Sequence, residues 1–328
     1  MTGREVRGIL WGLLAVVAFS LTLPATRAAA SHLGVGFVAL GRAIGAGSVA
    51  AAILCCARVP FPRREDLPML ILISLGVVLG FPFLTTLAMA QVPASHGGVV
   101  VGLLPLSTVI AAAILAGERP SIGFWLTSFA GTGVLSAFVF GESGGGLGAA
   151  DLALIGAVVA AAIGYALGGR LAAHMAAWQV ICWALVVALP VLAIAAPFLV
   201  ELPSRGAPLT AWVGFAYVTI VSQLVGFFAW YRGLALGGIA RVSQTQLLQL
   251  FLTLAFSALL LGESIAPRLL VYGGLIAGTV AIGMRLRVAH TREPSFEARS
   301  MPSRDCGHPI GDECHHLSAV SAERVARR

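Results

Sequence analysis

The sequence predicts an all-α integral membrane protein with ten transmembrane helices in two inverted five-helix repeats. Three observations predict this fold: the composition, the spacing of the apolar stretches, and a similarity between the two halves. Of the 328 residues, 58% are hydrophobic and only 11% are Asp, Glu, Lys or Arg, whereas soluble domains carry about 25% charged residues. So few charges cannot solvate a globule of this size, and a soluble fold is excluded.

Apolar stretches of about 20 residues, the length that crosses a bilayer as a helix, recur along the chain. Proline, glycine and charged residues interrupt them, as in the segment VPFPRR at 59–64. Arg4 and Arg7 before the first stretch imitate a secretory signal, but that stretch is long for one and recurs later, so we expect it to be retained. The predicted spans lie near 8–28, 34–56, 67–89, 94–117, 121–140, 151–171, 178–200, 209–231, 240–262 and 267–287.

An internal repeat appears when the two halves are aligned at an offset near 145. AVVAFSLTLPATR at 15–27 aligns with VVAAAIGYALGGR at 158–170, and LAGE at 115–118 aligns with LLGE at 260–263. Each half then holds five spans, and because five is odd, the second half enters the membrane from the opposite side. We therefore predict a first repeat at 1–145, a second repeat at 146–288 and a disordered cytoplasmic tail at 289–328.

The arginines predict the orientation. Cytoplasmic loops of membrane proteins carry an excess of Lys and Arg, and this chain has no lysine. With both termini in the cytoplasm, the outer loops hold Arg27, Arg205 and Arg268. The inner loops and flanks hold Arg4, Arg7, Arg58, Arg63, Arg64, Arg119, Arg170, Arg232, Arg241, Arg285 and Arg287. This asymmetry predicts a multi-pass protein of the cell membrane with both termini cytoplasmic.

Short motifs in this order resemble the EamA-type transporters of the drug/metabolite transporter superfamily. They are PAS at 93–95, LPL at 104–106, and GE at 117–118 and 262–263, and the resemblance covers about residues 8–287. It implies a secondary transporter that exports small metabolites or drug-like compounds across the inner membrane by alternating access. The chain departs from the family where QLF at 249–251 lacks the expected proline.

Arg42 is the first candidate site residue. It lies about nine residues into the second span, roughly 13 Å along a helix. An arginine at that depth is costly unless it faces a cavity or a partner, and its planar guanidinium suits a carboxylate or phosphate. The alternative is a structural arginine that snorkels or bonds carbonyl groups at a helix end.

A polar stripe in the ninth span supplies further candidates. Gln246, Gln249 and Thr253 follow i, i+3, i+7 spacing and share one helical face. Such a stripe either lines a watery pathway or bonds to a neighbouring helix, and we favour the pathway. Tyr165 is a candidate aromatic wall of the same site, although aromatic residues near span ends are often interfacial anchors.

The remaining polar residues are weaker indicators of function. Glu118 and Glu263 are expected at helix junctions rather than in proton coupling, and no Asp or Glu is expected deep in a span. His96 is expected to be a polar interface residue rather than a proton relay. The Cys and His residues of the tail do not have the spacing of a zinc site, and the cysteines are expected to be free thiols.

Other functional classes fit the sequence less well. An intramembrane enzyme and a channel-like protein are the alternatives to a transporter, but the chain contains no HExxH or GxSxG motif and no lysine for Schiff-base or P-loop chemistry. The scattered arginines do not form a nucleic-acid surface. We therefore expect no catalytic residue, metal or cofactor. The expected partners are a small-molecule substrate and the lipid bilayer.

Overall fold

The structure, a computed structural model, describes residues 3–116, 119–120, 122–142, 148–200, 203, 206–243, 245–285 and 288–289. The predicted tail lies outside them except for residue 289. The helices are α1 (Gly3–Ser20), α2 (Thr22–Leu33), α3 (Val35–Cys56), α4 (Leu67–Ile73), a first π-helical segment (Ser74–Gly80), α5 (Phe81–Met89), α6 (Ala94–Val101), α7 (Leu104–Ala116), α8 (Ile122–Glu142), α9 (Ala149–Leu171), α10 (Ala177–Leu199), α11 (Leu209–Ala216), a second π-helical segment (Tyr217–Val225), α12 (Gly226–Gly237), α13 (Ile239–Ser243), α14 (Gln246–Leu261) and α15 (Pro267–Arg285).

Seven helical stretches within the described ranges are long and apolar enough to cross a membrane. They are Gly3–Leu33, Val35–Cys56, Leu67–Met89, Ala94–Leu115, Ala149–Leu171, Ala177–Leu199 and Leu209–Gly237, and α14 is a shorter apolar helix. The chain is therefore a multi-pass membrane protein. Two short strands, β1 (Arg119–Pro120) and β2 (Val288–Ala289), pair antiparallel with Arg119 opposite Ala289.

Glycines bring two pairs of helices into backbone contact. Gly8 of α1 faces α12, where a Cβ on Gly8 would lie 2.5 Å from the backbone N of Gly237. Gly76, in the first π-helical segment, faces α9, where its Cβ would lie 2.5 Å from the carbonyl oxygen of Ala160. Small residues drive such close packing in a bilayer, because lipid tails are as apolar as the helices and give no hydrophobic force between them.

Prolines explain where the first helix breaks. Pro24 has no N–H and its ring clashes with the carbonyl of the residue four positions earlier, which is Ser20. Helix α1 ends at Ser20, and α2 begins after Leu21. The Ser20 carbonyl oxygen, freed from its helical partner, instead accepts a 3.1 Å hydrogen bond from Thr253 Oγ1 on α14. The break therefore ties the two halves of the sequence together.

Both π-helical segments lie midway along a membrane-crossing stretch. They end at Gly80 and Val225, positions separated by the offset of about 145 that relates the two halves of the sequence. In a π-helix the N–H groups bond carbonyls five residues back, and such segments occur frequently at functional sites. The two segments contribute Val77, Ser222 and Gln223 to the centre of the protein.

Candidate functional site

Arg42 lies buried on α3 with only 1% of its surface exposed. Its Nη2 donates a 3.3 Å hydrogen bond to Ser222 Oγ. The Ser222 hydroxyl also shares a 2.8 Å hydrogen bond with Thr22 Oγ1. The Nε and Nη1 atoms of Arg42 have no hydrogen-bond partner among the described residues. A guanidinium carries five N–H donors, so Arg42 retains capacity for an anion or for water.

A small cavity adjoins Arg42. Its volume is about 10 Å³, close to the minimum that holds one water molecule. It is lined by Phe19, Thr22, Leu23, Arg42, Val77, Phe81, Val101, Tyr165, Ser222, Gln223, Phe227 and Gln249. These residues come from both halves of the sequence, and the cavity is mixed in character, with one cation, several neutral polar groups and aromatic rings.

Aromatic side chains form one side of this cavity. The ring of Phe19 packs on Phe227 at a centroid distance of 5.1 Å, and Tyr165 packs on Trp230 at 5.2 Å and on Phe227 at 5.9 Å. The rings meet tilted or edge to face, which is the favoured arrangement of aromatic quadrupoles. Tyr231, also buried, donates a 3.2 Å hydrogen bond to the carbonyl oxygen of Gly164. Of these rings, Phe19, Tyr165 and Phe227 line the same cavity as Arg42.

A second cavity of about 10 Å³ lies alongside and is lined by Gln246, Gln249 and Thr253 together with Gly98 and Val101. Both amide atoms of Gln246 and the Oε1 atom of Gln249 have no hydrogen-bond partner among the described residues. Buried polar groups normally have partners, so these unpaired amide atoms retain capacity for a ligand or for water.

The structure therefore distributes the predicted site residues over two neighbouring cavities. Arg42, Tyr165 and Gln249 line one cavity, while Gln246 and Thr253 line the neighbouring one, and Gln249 borders both. Thr253 uses its hydroxyl to bond the neighbouring helix, as described above, whereas the two glutamines do not.

Sequence reasoning missed the polar groups that surround Arg42, of which Ser222 bonds it directly. Thr22, Ser222 and Gln223 contact the site, and Gln223 Nε2 donates a 3.0 Å hydrogen bond to the carbonyl oxygen of Val77. The adjacent Ser222 and Gln223 in the middle of the eighth predicted span were the available signal, because two polar residues there are unusual in a lipid-facing helix.

Glu263 caps the start of helix α6. Its Oε1 and Oε2 atoms accept 2.9 Å hydrogen bonds from the backbone N–H groups of Ala94 and Ser95, respectively. Arg27 Nε lies 3.3 Å from Oε1, and Arg27 Nη1 donates to the carbonyl oxygens of Met89 and Val92. A carboxylate is stabilised at a helix N-terminus by the helix dipole. The expected junction role of Glu263 agrees with these contacts, whereas Glu118 lies outside the described residues.

His96 and Asp151 pair inside the protein. Asp151, at the start of α9, is only 3% exposed, and His96 is 8% exposed. His96 Nε2 lies 2.8 Å from Asp151 Oδ1. Because Asp151 lies in the first turn of α9, at the end of a predicted span, the expectation that no acidic residue lies deep in a span is not contradicted. The expected position of His96 at the membrane interface stays a prediction.

The cysteines agree in part with expectation. Cys55, Cys56 and Cys182 are free thiols. The Cys and His residues of the tail lie outside the described residues.

Two separate segments of the chain, one in each half, match the same known protein family. The EamA-like transporter family matches residues 6–141 and again residues 148–284. The protein named "Uncharacterized transporter YdeK" from Bacillus subtilis (strain 168) is 37% identical over 282 residues, which covers 86% of this chain and 98% of that protein.

A second relative, named "Probable terminal-alkyne amino-acid exporter", comes from Streptantibioticus cattleyicolor. It is 29% identical over 306 residues, 88% of this chain and 98% of that protein. A solved crystal structure shares the fold with a TM-score of 0.60 at 19% identity, over 84% of this chain and 97% of that chain. The two matches of the family model together span most of the sequence, and the chain belongs to the EamA-like transporter family.

Proposed function

We propose that the protein is a secondary transporter that exports small carboxylate-bearing metabolites, amino-acid-like compounds among them, across the inner membrane by alternating access. The observation that carries this proposal is Arg42, a buried cation beside a small cavity, whose Nε and Nη1 atoms have no partner among the described residues. A buried charge without a counter-charge is costly, so a site that keeps one is expected to use it.

The surroundings of Arg42 favour a carboxylate with an apolar or aromatic portion. The guanidinium binds carboxylates through charge-assisted hydrogen bonds, and Gln249 adds an unpaired amide oxygen that can accept from an ammonium group. The aromatic wall of Phe19, Tyr165 and Phe227 suits an apolar side chain. The relative named as an amino-acid exporter supports the same substrate class.

The proposed architecture is ten spans in two inverted repeats, 1–145 and 146–288, with 289–328 as a cytoplasmic tail. Three observations support it: the family model matches each half separately, the π-helical segments lie at corresponding positions, and described helices overlap all ten predicted spans. The arginine asymmetry supports cytoplasmic termini. Reporter fusions to the tail and to the loop around Gly144 test this topology, and a periplasmic signal from the tail would refute it.

Alternating access is supported by the size of the central cavities. Each holds about 10 Å³, far less than a metabolite needs, so a substrate requires the helices around them to separate. We infer that the structure represents a closed state of the transport cycle. The site lies between the two halves, as expected for a carrier built from inverted repeats.

Counterflow in proteoliposomes tests the substrate class. Vesicles loaded with unlabelled L-amino acids should accumulate radiolabelled L-amino acids saturably. Vesicles loaded instead with cationic drug-like compounds should not accumulate the radiolabelled amino acids. Arg42→Gln should lower amino-acid counterflow by about tenfold or more, because one charge-assisted hydrogen bond contributes about 1.5–3 kcal/mol. Arg63→Gln, at a highly exposed arginine, is the matched control and should retain wild-type flux.

The alternatives give different results in the same experiment. A channel gives flux that does not saturate and no counterflow, and an intramembrane enzyme gives no flux. Full counterflow by Arg42→Gln would assign Arg42 a structural role and remove the basis for carboxylate recognition.

A further inference from the structure

The pair formed by His96 and Asp151 lies apart from the central cavities and is not used in substrate recognition. His96 Nε2 lies 2.8 Å from Asp151 Oδ1, and both residues are nearly inaccessible. Asp151 Oδ2 also accepts a 3.1 Å hydrogen bond from the N–H of Gly148, and the Phe138 ring packs on the imidazole at a centroid distance of 4.9 Å. A buried histidine in direct contact with an aspartate forms a site that can bind and release a proton.

We propose that His96 and Asp151 form the proton-binding site that couples export to the transmembrane proton gradient. The proposal rests on the proposed transport function. In the deprotonated state the neutral imidazole donates its Nε2 hydrogen to the carboxylate. A proton then adds to the lone pair of Nδ1, no other bond breaks, and an imidazolium–carboxylate pair results. Release of the same proton restores the neutral ring.

The pair connects two of the helices that contribute residues to the central cavities. Helix α6 carries His96 in its first turn and places Val101 against both cavities. Helix α9 carries Asp151 in its first turn and places Tyr165 in the cavity beside Arg42. Protonation changes the attraction between the ends of these helices. A proton that binds one arrangement of α6 and α9 more tightly than the other shifts the equilibrium between them.

Neighbouring elements place both signs of charge around the pair. Glu263, paired with Arg27, lies at the N-terminus of α6, where the helix dipole disfavours an imidazolium and a carboxylate offsets it. The neighbours α5 and α14 carry no Asp, Glu, His, Lys or Arg within their described residues. The titratable groups on the helices packed against α6 and α9 are Arg27, His32, Cys182, Tyr231, Arg232, Arg268, Tyr272 and Arg285, and Asp66 and Glu263 lie next to the ends of such helices.

A second histidine–aspartate pair provides a matched control. His174 Nε2 lies 3.0 Å from Asp66 Oδ1, nearly the same geometry, but 54% of the His174 side chain is exposed. His174 contacts neither central cavity. It therefore has nearly the same contact geometry at a position that is exposed to water and borders neither cavity.

Histidine titration tests proton binding without any substrate. In the purified full-length protein with ¹⁵N-labelled histidine, the His96 ring signals, identified by their loss in His96→Gln, should respond to pH over the range in which the protein stays folded. Asp151→Asn should shift that titration, and Asp66→Asn should not. A His96 signal that stays flat over this range, or that ignores Asp151→Asn, overturns the proposal whether or not flux is observed.

Flux then tests coupling. In proteoliposomes, acid-inside pH gradients should drive accumulation of radiolabelled L-amino acids by the wild type and by His174→Gln. His96→Gln and His96→Asn should lose about tenfold or more of this accumulation while keeping counterflow, which needs no net proton movement. Gel filtration of each variant checks its folding.

The outcomes separate the two proposals. Wild-type counterflow with no response to the gradient overturns proton coupling and leaves the transport function standing. Gradient-driven accumulation by both His96 variants at the wild-type level also overturns it. Absence of any wild-type counterflow refutes the transport function itself, and coupling with it.

Discussion

The side-chain amide of Gln223 donates a 3.0 Å hydrogen bond to the backbone carbonyl oxygen of Val77, and the two residues lie in the two π-helical segments. In the first segment the N–H of Phe81 bonds the carbonyl of Gly76, five residues back. The next carbonyl in this pattern belongs to Val77, and its partner would be the N–H that Pro82 lacks. Gln223 therefore satisfies a carbonyl that the local sequence leaves without a helical donor.

Replacing Gln223 by leucine should destabilise the protein because the buried Val77 carbonyl loses its donor. We expect a loss of about 0.6–1.7 kcal/mol in the free energy of unfolding, measured by denaturant titration in mixed micelles. Gln91→Leu is the control and should change little, because this exposed glutamine lies in the turn after α5 and its side chain bonds only the nearby Leu87 carbonyl. Adding Pro82→Ala to Gln223→Leu restores a backbone donor and should recover part of the loss. Equal effects of the two leucine variants would contradict this account.

Gly8→Ala should separate α1 from α12. A Cβ at Gly8 would meet backbone atoms of Gly237 at 2.5 and 2.7 Å, and backbone cannot move aside as a side chain can. Overpacking of this kind costs about 1–3 kcal/mol, which a thermal unfolding assay in detergent would detect. Gly133→Ala is the control, since nothing lies within 4 Å of its Cβ position, and it should be neutral or stabilising. Comparable stability of both variants would show that the close contact does not constrain the fold.

Gln246→Leu and Gln249→Leu should separate the pathway hypothesis from the helix-bonding hypothesis. Because three of the four amide atoms have no hydrogen-bond partner among the described residues, leucine should leave stability equal or higher while flux per folded molecule falls. Thr253→Val, in contrast, should lower stability by about 0.6 kcal/mol, because it removes a bond to the Ser20 carbonyl. Wild-type flux per folded molecule in both glutamine variants would remove them from the site.

Glu263→Ala should destabilise the start of α6, because two successive N–H groups lose their acceptor and Arg27 loses its counter-charge. Loss of such a cap costs about 0.5–2 kcal/mol, measurable by denaturant titration. Glu65→Ala removes an exposed carboxylate paired with Arg63 and should change the unfolding free energy by less than about 1 kcal/mol. If Glu263→Ala is no more damaging than Glu65→Ala, the cap is not a significant stabilising contact.

The sequence by itself determined the membrane fold class and the family, and it identified Arg42 as a candidate. Composition and apolar length suffice for the first, since lipid requires about 20 apolar residues in each spanning helix. Periodicity also identified Gln246, Gln249 and Thr253 as one face of a helix, because that face depends only on residues near in sequence.

Only the tertiary structure decided what these residues meet. Ser222 contacts Arg42 across 180 positions of the chain, and Asp151 contacts His96 across 55. A helical repeat fixes which side chains share a face but not which neighbouring helix that face meets, so no local pattern indicates these partners. Helix packing set by glycines and by proline breaks brings them together, and for that reason the polar groups surrounding Arg42 and the burial of Asp151 were found only in the folded chain.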